Sequence, residues 1–404
     1  MPNALIFSPD FDGHRQVYVF VLAQILEELG FNICIAGNIK KEVTNSFYFD
    51  LLKKNPDIKI IDTSIYSGGG LFINYKEFLT LIDLCQVEIV VFPEADFHIS
   101  LFVSFFLKFL KRNQLRMVGI FLRPFYFYQE KNFIDKLKYL KSLGTRWRND
   151  DQFFHEFLQK RFSILKVALY IDEYFTSLHK HSHWLPDVFQ EFADKYVQNE
   201  KPEQRIWIEK LKDYKKKNTN RFFLLYFGTA QPRRGYDTLL KLALDNDACF
   251  IHCGLLNSDE KFNLDIDELR LLLNKTGSLF ETNQYIADPL CVEYFFKSVT
   301  HLVLPYRNFL GSSGIMLQSL SYGIPILAPN YGIIGKRIKK HHLGVTYVNN
   351  DVKSLYKQFS YFKQLDPSIF INDINSYMKY QNAGILRESL INAFTDTCWN
   401  KKRL

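Results

Sequence analysis

The sequence lacks the features that mark secreted, membrane-spanning and zinc-binding chains. Its 404 residues include only 6 cysteines, and none of them forms paired CxxC units. We therefore expect reduced thiols in a cytoplasmic protein. Residues 1–4 contain no basic segment followed by an apolar one, and no window offers the roughly 18 uncharged apolar residues of a membrane-spanning helix. The chain is expected to be soluble or peripheral to a membrane.

Charge of one sign is also scarce. The net charge of +8 permits anionic partners such as phosphates, nucleotides or a lipid surface, but is too weak to predict a nucleic-acid-binding protein. Aromatic residues are abundant at 16%, with 38 Phe and 23 Tyr, which excludes disorder for most of the chain. The length predicts two or three domains.

Short apolar runs alternate with helical patterns, which is typical of parallel α/β sheets. The first strand is predicted at residues 4–8, and a helix at about 14–29 that ends at Gly30. The same alternation of strands and helices begins again with an apolar strand predicted at 222–227, and a further strand is predicted at 283–286. The pattern predicts two Rossmann-like, doubly wound halves with a cleft between them.

The domain boundaries follow from changes in composition. We assign residues 1–200 to the first domain and 201–220, with the basic run 215–217, to a surface linker containing a helix. Residues 221–375 form the second domain, and 376–404 a C-terminal helix that packs back toward the first.

A short loop of small residues follows an apolar run at 301–305. It consists of Gly311, Ser312, Ser313 and Gly314, with a helix expected to begin at or near Ser313. Glycines let backbone approach a ligand, and a helix start offers free N–H groups to an anion. The loop indicates either a diphosphate site or a tight strand-to-helix turn without a ligand.

A second loop, from Gly228 to Gly235, follows the strand at 222–227. Arg233 and Arg234 lie side by side at the expected start of a helix. Because guanidinium groups match the geometry of phosphate oxygens, the pair suits phosphate recognition. The alternative is a surface loop with solvated arginines.

Taken together, these segments resemble the retaining, nucleotide-sugar-dependent glycosyltransferases of the GT-B fold, family 4 in particular. Gly228, Arg234 and Gly235 fit the motif that opens the second half in that family, with Arg234 in the place of a lysine. Thr229 stands where the family has an arginine. The resemblance extends over about residues 222–347.

Two glutamates of that family are replaced in this chain. Glycine, isoleucine and proline at 323–325 set the register, which places Leu310 and Gln318 at the two glutamate positions. Gln318 would still hydrogen-bond a ribose, whereas Leu310 lacks a carboxylate. The resemblance implies that the nucleotide sugar is bound by Gly13, Arg233, Arg234, Tyr285, Gly311, Ser312, Ser313, Gly314 and Gln318.

In the first half, the corresponding loops offer polar residues for an acceptor. His14 follows the first strand, Glu94 and Asp96 follow the fourth, and Arg123 follows the fifth. We expect His14, Glu94 and Arg123 to be the catalytic or acceptor-contacting residues. For His14 a partly exposed position at a helix start is an alternative of at least equal weight. Glu94 and Asp96 would otherwise be cap or loop carboxylates, which is the favoured interpretation for Asp96.

Two further patterns leave alternatives open. His179, His181 and His183 would share one face of a strand, as in a metal site, but no carboxylate or cysteine completes the set, so an exposed strand edge is favoured. Residues 97–112 are apolar and then basic. They fit an amphipathic helix on an anionic membrane or, as we favour, a buried helix of the first half.

The resemblance implies a hexosyltransferase that moves a sugar from a nucleoside diphosphate sugar to an acceptor hydroxyl, in polysaccharide or glycolipid synthesis. No metal or other cofactor is expected. The expected partners are the nucleotide sugar, a carbohydrate or lipid-linked acceptor and the inner face of the membrane, but no nucleic acid. Because both family glutamates and one arginine are replaced, a binding or scaffolding subunit is one alternative, and a nucleotide-sugar epimerase on the same fold is another.

Overall fold

The computed structural model describes residues 1–11, 15–39, 47–63, 75–97, 116–122, 167–174, 182–189, 191, 193, 200–256, 261–262 and 264–395. The chain forms two compact units. One unit comprises Met1–Tyr196 and Gln381–Leu404, and the other comprises Val197–Tyr380. Residues 201–220, assigned above to the linker, belong to the second unit and include a helix of 12 residues.

The first unit is built on a parallel sheet in the order β3-β2-β1-β4-β5-β6-β7. Its strands are β1 (Asn3–Asp10), β2 (Asn32–Asn38), β3 (Ile58–Asp62), β4 (Ile89–Phe92), β5 (Arg116–Phe121), β6 (Val167–Tyr170) and β7 (Ser182–Trp184). Described helices in the first part of the chain are α1 (Arg15–Glu28), α2 (Phe47–Lys54) and α3 (Tyr75–Cys85). The order reverses between β1 and β4, so ligands are expected at the carboxyl ends of these two strands.

Aromatic side chains fill much of the core of this unit. The ring of Phe7 meets those of Phe78 and Phe92 edge-on, at centroid distances of 5.2 and 6.0 Å, and Phe121 stacks on Tyr170 at 5.0 Å. All five side chains are almost completely buried. The aromatic excess in the described part of the unit therefore serves packing.

The second unit contains two three-stranded parallel sheets, β10-β9-β8 and β11-β12-β13. Their strands are β8 (Phe223–Phe227), β9 (Cys249–Cys253), β10 (Leu279–Glu281), β11 (Leu302–Val303), β12 (Ile326–Pro329) and β13 (Gly344–Tyr347). The helices are α4 (Ile206–Lys217), α5 (Tyr236–Asp245), α6 (Ile266–Lys275), α7 (Pro289–Lys297), α8 (Gly314–Ser321), α9 (Gly332–His341), α10 (Val352–Phe362) and α11 (Ile371–Met378). Strand β11 lies beside β8, so the switch point of this unit falls between β8 and β11.

Side-chain caps explain where several of these helices begin. Asp351, predicted as an N-cap, accepts a hydrogen bond from the Ser354 backbone N–H at 3.0 Å. Asp288 caps α7 by accepting from the backbone N–H groups of Leu290 and Cys291. It also accepts from the Lys201 N–H at 2.9 Å, which ties the start of the unit to this helix.

Two predicted elements differ from the structure. The strand predicted at 283–286 is wrong: β10 lies at Leu279–Glu281, and 283–286 form a loop in which Asn283 has a φ of +45°. The C-terminal segment is not one helix, because Asn382 accepts from the Ile385 N–H and so begins a new helix, α12 (Ala383–Thr395). Helix α12 belongs to the first unit.

Candidate functional site

The switch point of the second unit brings together two loops that lie about 75 residues apart in sequence. One loop follows β8 and runs from Gly228 to Gly235, and the other follows β11 and runs from Leu304 to Ser313. The backbone N–H of Arg307 donates to the carbonyl of Arg233 at 2.9 Å, which joins the loops directly. These are the two loops in which the sequence predicted a phosphate site.

Arg234 extends back over the first residue of its own loop. A Cβ on Gly228, whose φ is +105°, would lie only 2.9 Å from Arg234 Nη1, so the guanidinium uses the space that this glycine leaves. Among the residues that the structure describes, no carboxylate lies within ion-pair distance of Arg234. The half-exposed guanidinium is therefore available to an anion at the carboxyl end of β8.

Gly235 permits the close packing of the two loops. It has a φ of +69°, and a Cβ there would lie 2.0 Å from the carbonyl oxygen of Pro305. Only glycine fits both the left-handed backbone and the contact. Gly235 precedes α5 directly, so it also sets the direction in which the Arg233–Arg234 segment leaves the helix.

Arg307 holds this arrangement through a buried ion pair that the sequence analysis missed. Its Nη2 donates to both carboxylate oxygens of Asp237, at 2.8 and 2.9 Å, and to Thr238 Oγ1 at 2.7 Å, while Nη1 donates to the carbonyl of Pro232 at 2.9 Å. Asp237 is fully buried. In the sequence Asp237 resembles an ordinary acidic residue of a first helical turn, so no local signal indicated its partner.

The small-residue loop ends at Ser313, where a helix begins as predicted, and this serine has a strained backbone and caps the helix. Ser313 has a φ of +61°, its Oγ accepts from the Met316 N–H at 3.2 Å, and it lies 3.0 Å from the hydroxyl of Tyr306. Gly314 is exposed, and a Cβ there would meet nothing within 4 Å. The start of α8 therefore faces open space, while Ser312 and Ser313 are both buried.

Leu310 and Gln318, which occupy the two positions where the resembling family has glutamates, have different surroundings. Leu310 is buried and packs against Gly332, at the start of α9, where a Cβ would lie 3.6 Å from its Cδ2. Gln318 is half-exposed on α8, and its side chain hydrogen-bonds the hydroxyl of Tyr322 one turn later. That bond partly offsets the burial that raises the pKa of Tyr322. Gln318 keeps a polar group at the surface, whereas Leu310 contributes to packing.

Tyr285 lies in the loop after β10, with 55% of its side chain exposed. Its backbone carbonyl accepts from Gln204 Nε2 at 2.9 Å, and Gln204 Oε1 accepts from the backbone N–H groups of Ala287 and Asp288. Three hydrogen bonds of one glutamine therefore hold the loop, and more than half of the Tyr285 side chain is exposed.

A buried polar network lies behind the β8 loop, and no motif in the sequence indicates it. His252 Nε2 lies 3.2 Å from the carbonyl oxygen of Gly228, and Nδ1 lies 3.3 Å from the hydroxyl of Tyr236. Glu281 accepts from Tyr236 and from Arg270. Burial would raise the pKa of Glu281, but the hydrogen bonds and charge of Arg270, with His252 Nδ1 3.7 Å away, outweigh it and lower the pKa to about 2.

In the first unit, Glu94 lies at the carboxyl end of β4, beside the switch point. It is almost fully buried, and its Oε2 accepts from Arg15 Nε at 2.8 Å. Asp96 accepts from the Leu122 N–H at 2.7 Å, which fits its interpretation as a loop carboxylate. The other predicted residues of this half, Gly13, His14 and Arg123, lie outside the described residues.

No group of three or more His, Cys, Asp or Glu side chains suited to a metal ion occurs in the described parts of the chain. His179, His181 and residues 98–112 lie outside those parts, and His183 is half-buried on β7. In the same described parts, no helix has both the length and the apolar character needed to cross a bilayer.

Several solved structures resemble the chain over nearly its full length. HepE from Anabaena, solved in complex with UDP, has a TM-score of 0.63 at 9% identity, covering 97% of this chain and 99% of that one. A glycosyltransferase from Rickettsia africae has a TM-score of 0.62 at 12% identity, covering 98% and 100%. WaaG, described as a glycosyltransferase involved in lipopolysaccharide biosynthesis, has a TM-score of 0.57 at 13% identity, covering 97% and 100%.

No protein-family model matches the chain, and no curated protein matches it significantly. Identities of 9–13% show the fold alone. That fold is the GT-B fold, so the predicted fold class is confirmed.

Proposed function

We propose that the protein is a glycosyltransferase that binds a nucleoside diphosphate sugar in its second unit and transfers the sugar to an acceptor hydroxyl. The observation that carries the proposal is the guanidinium of Arg234 over Gly228, which has no carboxylate partner among the described residues and lies beside the exposed start of α8 at the switch point. Structures of this fold with UDP bound support the choice of ligand.

The chemistry proposed for this site is stabilisation of a leaving group. When the bond between sugar and diphosphate breaks, negative charge builds on the departing phosphate oxygens. Arg234, with Arg233 beside it, and the N–H groups at Gly311–Gly314 would stabilise that charge most strongly in the transition state. Arg307 and Asp237 would keep the loops in place before the substrate arrives, so little reorganisation is needed.

The remaining donor contacts are also part of the proposal. Gln318 would hydrogen-bond the ribose, and the exposed ring of Tyr285 would stack on the base. The resemblance implies retention of configuration, and no carboxylate at Leu310 is available as a nucleophile. We therefore propose a front-face route, in which the acceptor hydroxyl attacks the sugar carbon from the side that the diphosphate leaves and its proton passes to the departing phosphate oxygen. Neither a metal ion nor another cofactor is needed in this scheme.

The acceptor is proposed to bind at the carboxyl edge of the first unit's sheet, near Glu94. The ion pair with Arg15 gives Glu94 a positioning role there, because its carboxylate is already engaged. His14 and Arg123 complete this part of the proposal. The reaction class fits polysaccharide or glycolipid synthesis at the inner face of a membrane.

The experiment is calorimetric titration of the full chain with UDP and other nucleoside diphosphates, followed by donor hydrolysis assays over a panel of nucleotide sugars. Arg234→Ala removes about 1.5–3 kcal/mol of charge-assisted hydrogen bonding, so we expect roughly 10- to 150-fold weaker binding. Lys357→Ala, which removes an exposed charge on α10, is the control and should bind as the wild type does. If no nucleotide binds, or if Arg234→Ala binds normally, the proposal is wrong.

One observation favours a second function, in which the nucleotide binds but no sugar is transferred. Leu310 is buried against Gly332, so a carboxylate is replaced by a packed apolar side chain. Tight nucleotide binding that depends on Arg234, without turnover of any nucleotide sugar, would identify the protein as a binding subunit instead.

A further inference from the structure

The second unit contains a cavity of about 550 Å³ at the end of its sheet opposite to the Arg234 loops. It lies where α4 and α7 both end and where β8 begins. Its lining comprises Lys212, Lys215, Lys216, Thr219, Arg221, Phe222, Phe223, Tyr294, Ser298, Val299 and Thr300. The proposed function uses none of these residues.

The lining carries four cationic side chains and no carboxylate. Lys212, Lys216 and Arg221 each form an ion pair with a carboxylate that does not line the cavity. Those partners, Glu209, Asp213 and Asp247, are 71%, 68% and 87% exposed. Such exposed ion pairs are worth roughly 0–1 kcal/mol, so they compete weakly with an anion inside the cavity.

Lys215 is the cation with the least compensation. Its side chain is partly buried, and its Nζ donates to the carbonyl of Ser298 at 2.6 Å. Within the described residues, no carboxylate lies within ion-pair distance of it. Burial lowers the pKa of Lys215, and a bound anion would reverse that effect.

Lysines at the ends of helices also occur without any ligand, because they neutralise the last carbonyl groups. Two observations go beyond that explanation here. First, Arg221 lines the same cavity although it lies after the end of α4. Second, the aromatic side chains of Phe222, Phe223 and Tyr294 form the apolar part of the cavity. A ligand that uses the whole cavity must combine an anionic group with an apolar one.

We propose that this cavity binds a phosphate ester, with the phosphate among the four cations and the organic part on Phe222, Phe223 and Tyr294. The ester could be a soluble molecule or the headgroup of a lipid, and both present the same chemistry to the cavity. Guanidinium and ammonium groups together suit a phosphate dianion, and the hydroxyl group of Thr219 offers a further donor.

The test compares two pairs of lysines on the same helix. Lys212→Ala with Lys216→Ala removes two cations that line the cavity, whereas Lys210→Ala with Lys217→Ala removes two exposed cations that do not. The full chain is titrated calorimetrically with hexyl phosphate and with inorganic phosphate. In a second arm it is mixed with phosphatidylcholine vesicles, with and without phosphatidic acid, and sedimented.

We expect hexyl phosphate to bind the wild type more tightly than inorganic phosphate does, because of the aromatic wall. The cavity pair should weaken binding by about tenfold or more, and the control pair by less than about twofold. Cosedimentation that needs phosphatidic acid and is lost in the cavity pair assigns the site to a lipid headgroup, and binding of hexyl phosphate alone assigns it to a soluble ester. If neither probe binds, or both pairs have equal effects, the inference is overturned. None of these readouts depends on nucleotide binding.

Discussion

Replacing Gly235 by alanine tests whether the two loops of the candidate site need their close packing. At this residue φ is +69°, and the new Cβ would lie 2.0 Å from the Pro305 carbonyl oxygen and 2.8 Å from Pro305 Cγ. Both atoms belong to Pro305, in the loop that follows β11. Strand β11 is held in its sheet by β12. The methyl group can be accommodated only if one loop moves.

Two effects lower the free energy of unfolding of Gly235→Ala, and they add. An L-residue in the left-handed region costs roughly 1–2 kcal/mol, and an additional methyl group in a packed region costs about 1–3 kcal/mol. We therefore expect Gly235→Ala to lower the free energy of unfolding by about 2–5 kcal/mol. Gly277→Ala is the matched control, because its φ is +66° and a Cβ there would meet nothing within 4 Å. It should cost only about 1–2 kcal/mol.

The assay is urea unfolding followed by circular dichroism, combined with calorimetric titration of UDP. The gain in stability that alanine brings by restricting the unfolded chain is common to both variants, so it cancels in their comparison. Because Gly235 follows Arg234, the displaced loop should also weaken UDP binding in Gly235→Ala but not in Gly277→Ala. Equal destabilisation by the two substitutions would show that the contact with Pro305 is not tight in the protein.

Two further predictions concern buried charges. Asp237→Asn leaves Arg307 without its carboxylate and should lower the free energy of unfolding by about 3 kcal/mol, whereas Asp245→Asn, at a more exposed ion pair with Lys241, should cost under about 1 kcal/mol in the same urea assay. The pKa of Glu281 is lowered to about 2, so its stabilisation is complete above about pH 5 and is lost as the pH falls toward 2. The difference in stability between wild type and Glu281→Gln should therefore shrink across that range, and a difference independent of pH would contradict the assignment.

Much of the fold could be predicted from the sequence because strands buried on both faces have a distinct composition. The apolar run of β8 and the helix ends at Gly30, Ser313 and Asp351 are local signals, and the structure confirms each of them. The strand predicted at 283–286 was wrong because Tyr285 and Ile286 favour strands locally, whereas Gln204, 81 residues before Tyr285, holds the segment as a loop.

Some residues of the candidate site could likewise be recognised from the sequence, and others could not. Glycine and arginine at 228, 234 and 235 are recognisable from their spacing, which reflects the local geometry of a strand-to-helix loop. The pair of Arg307 and Asp237 has no such signal, since its members lie 70 residues apart.

The sequence by itself determined the alternation of strands and helices, the two glycine-containing loops predicted to bind phosphate and the absence of long apolar runs. Only the tertiary structure decided that β11 lies beside β8, that Arg307 binds Asp237 and that the ends of α4 and α7 enclose a cationic cavity. The physical reason is that backbone geometry and periodicity act over a few residues and are written in local composition. Contacts between distant segments depend on strand order and on how side chains of different elements pack together.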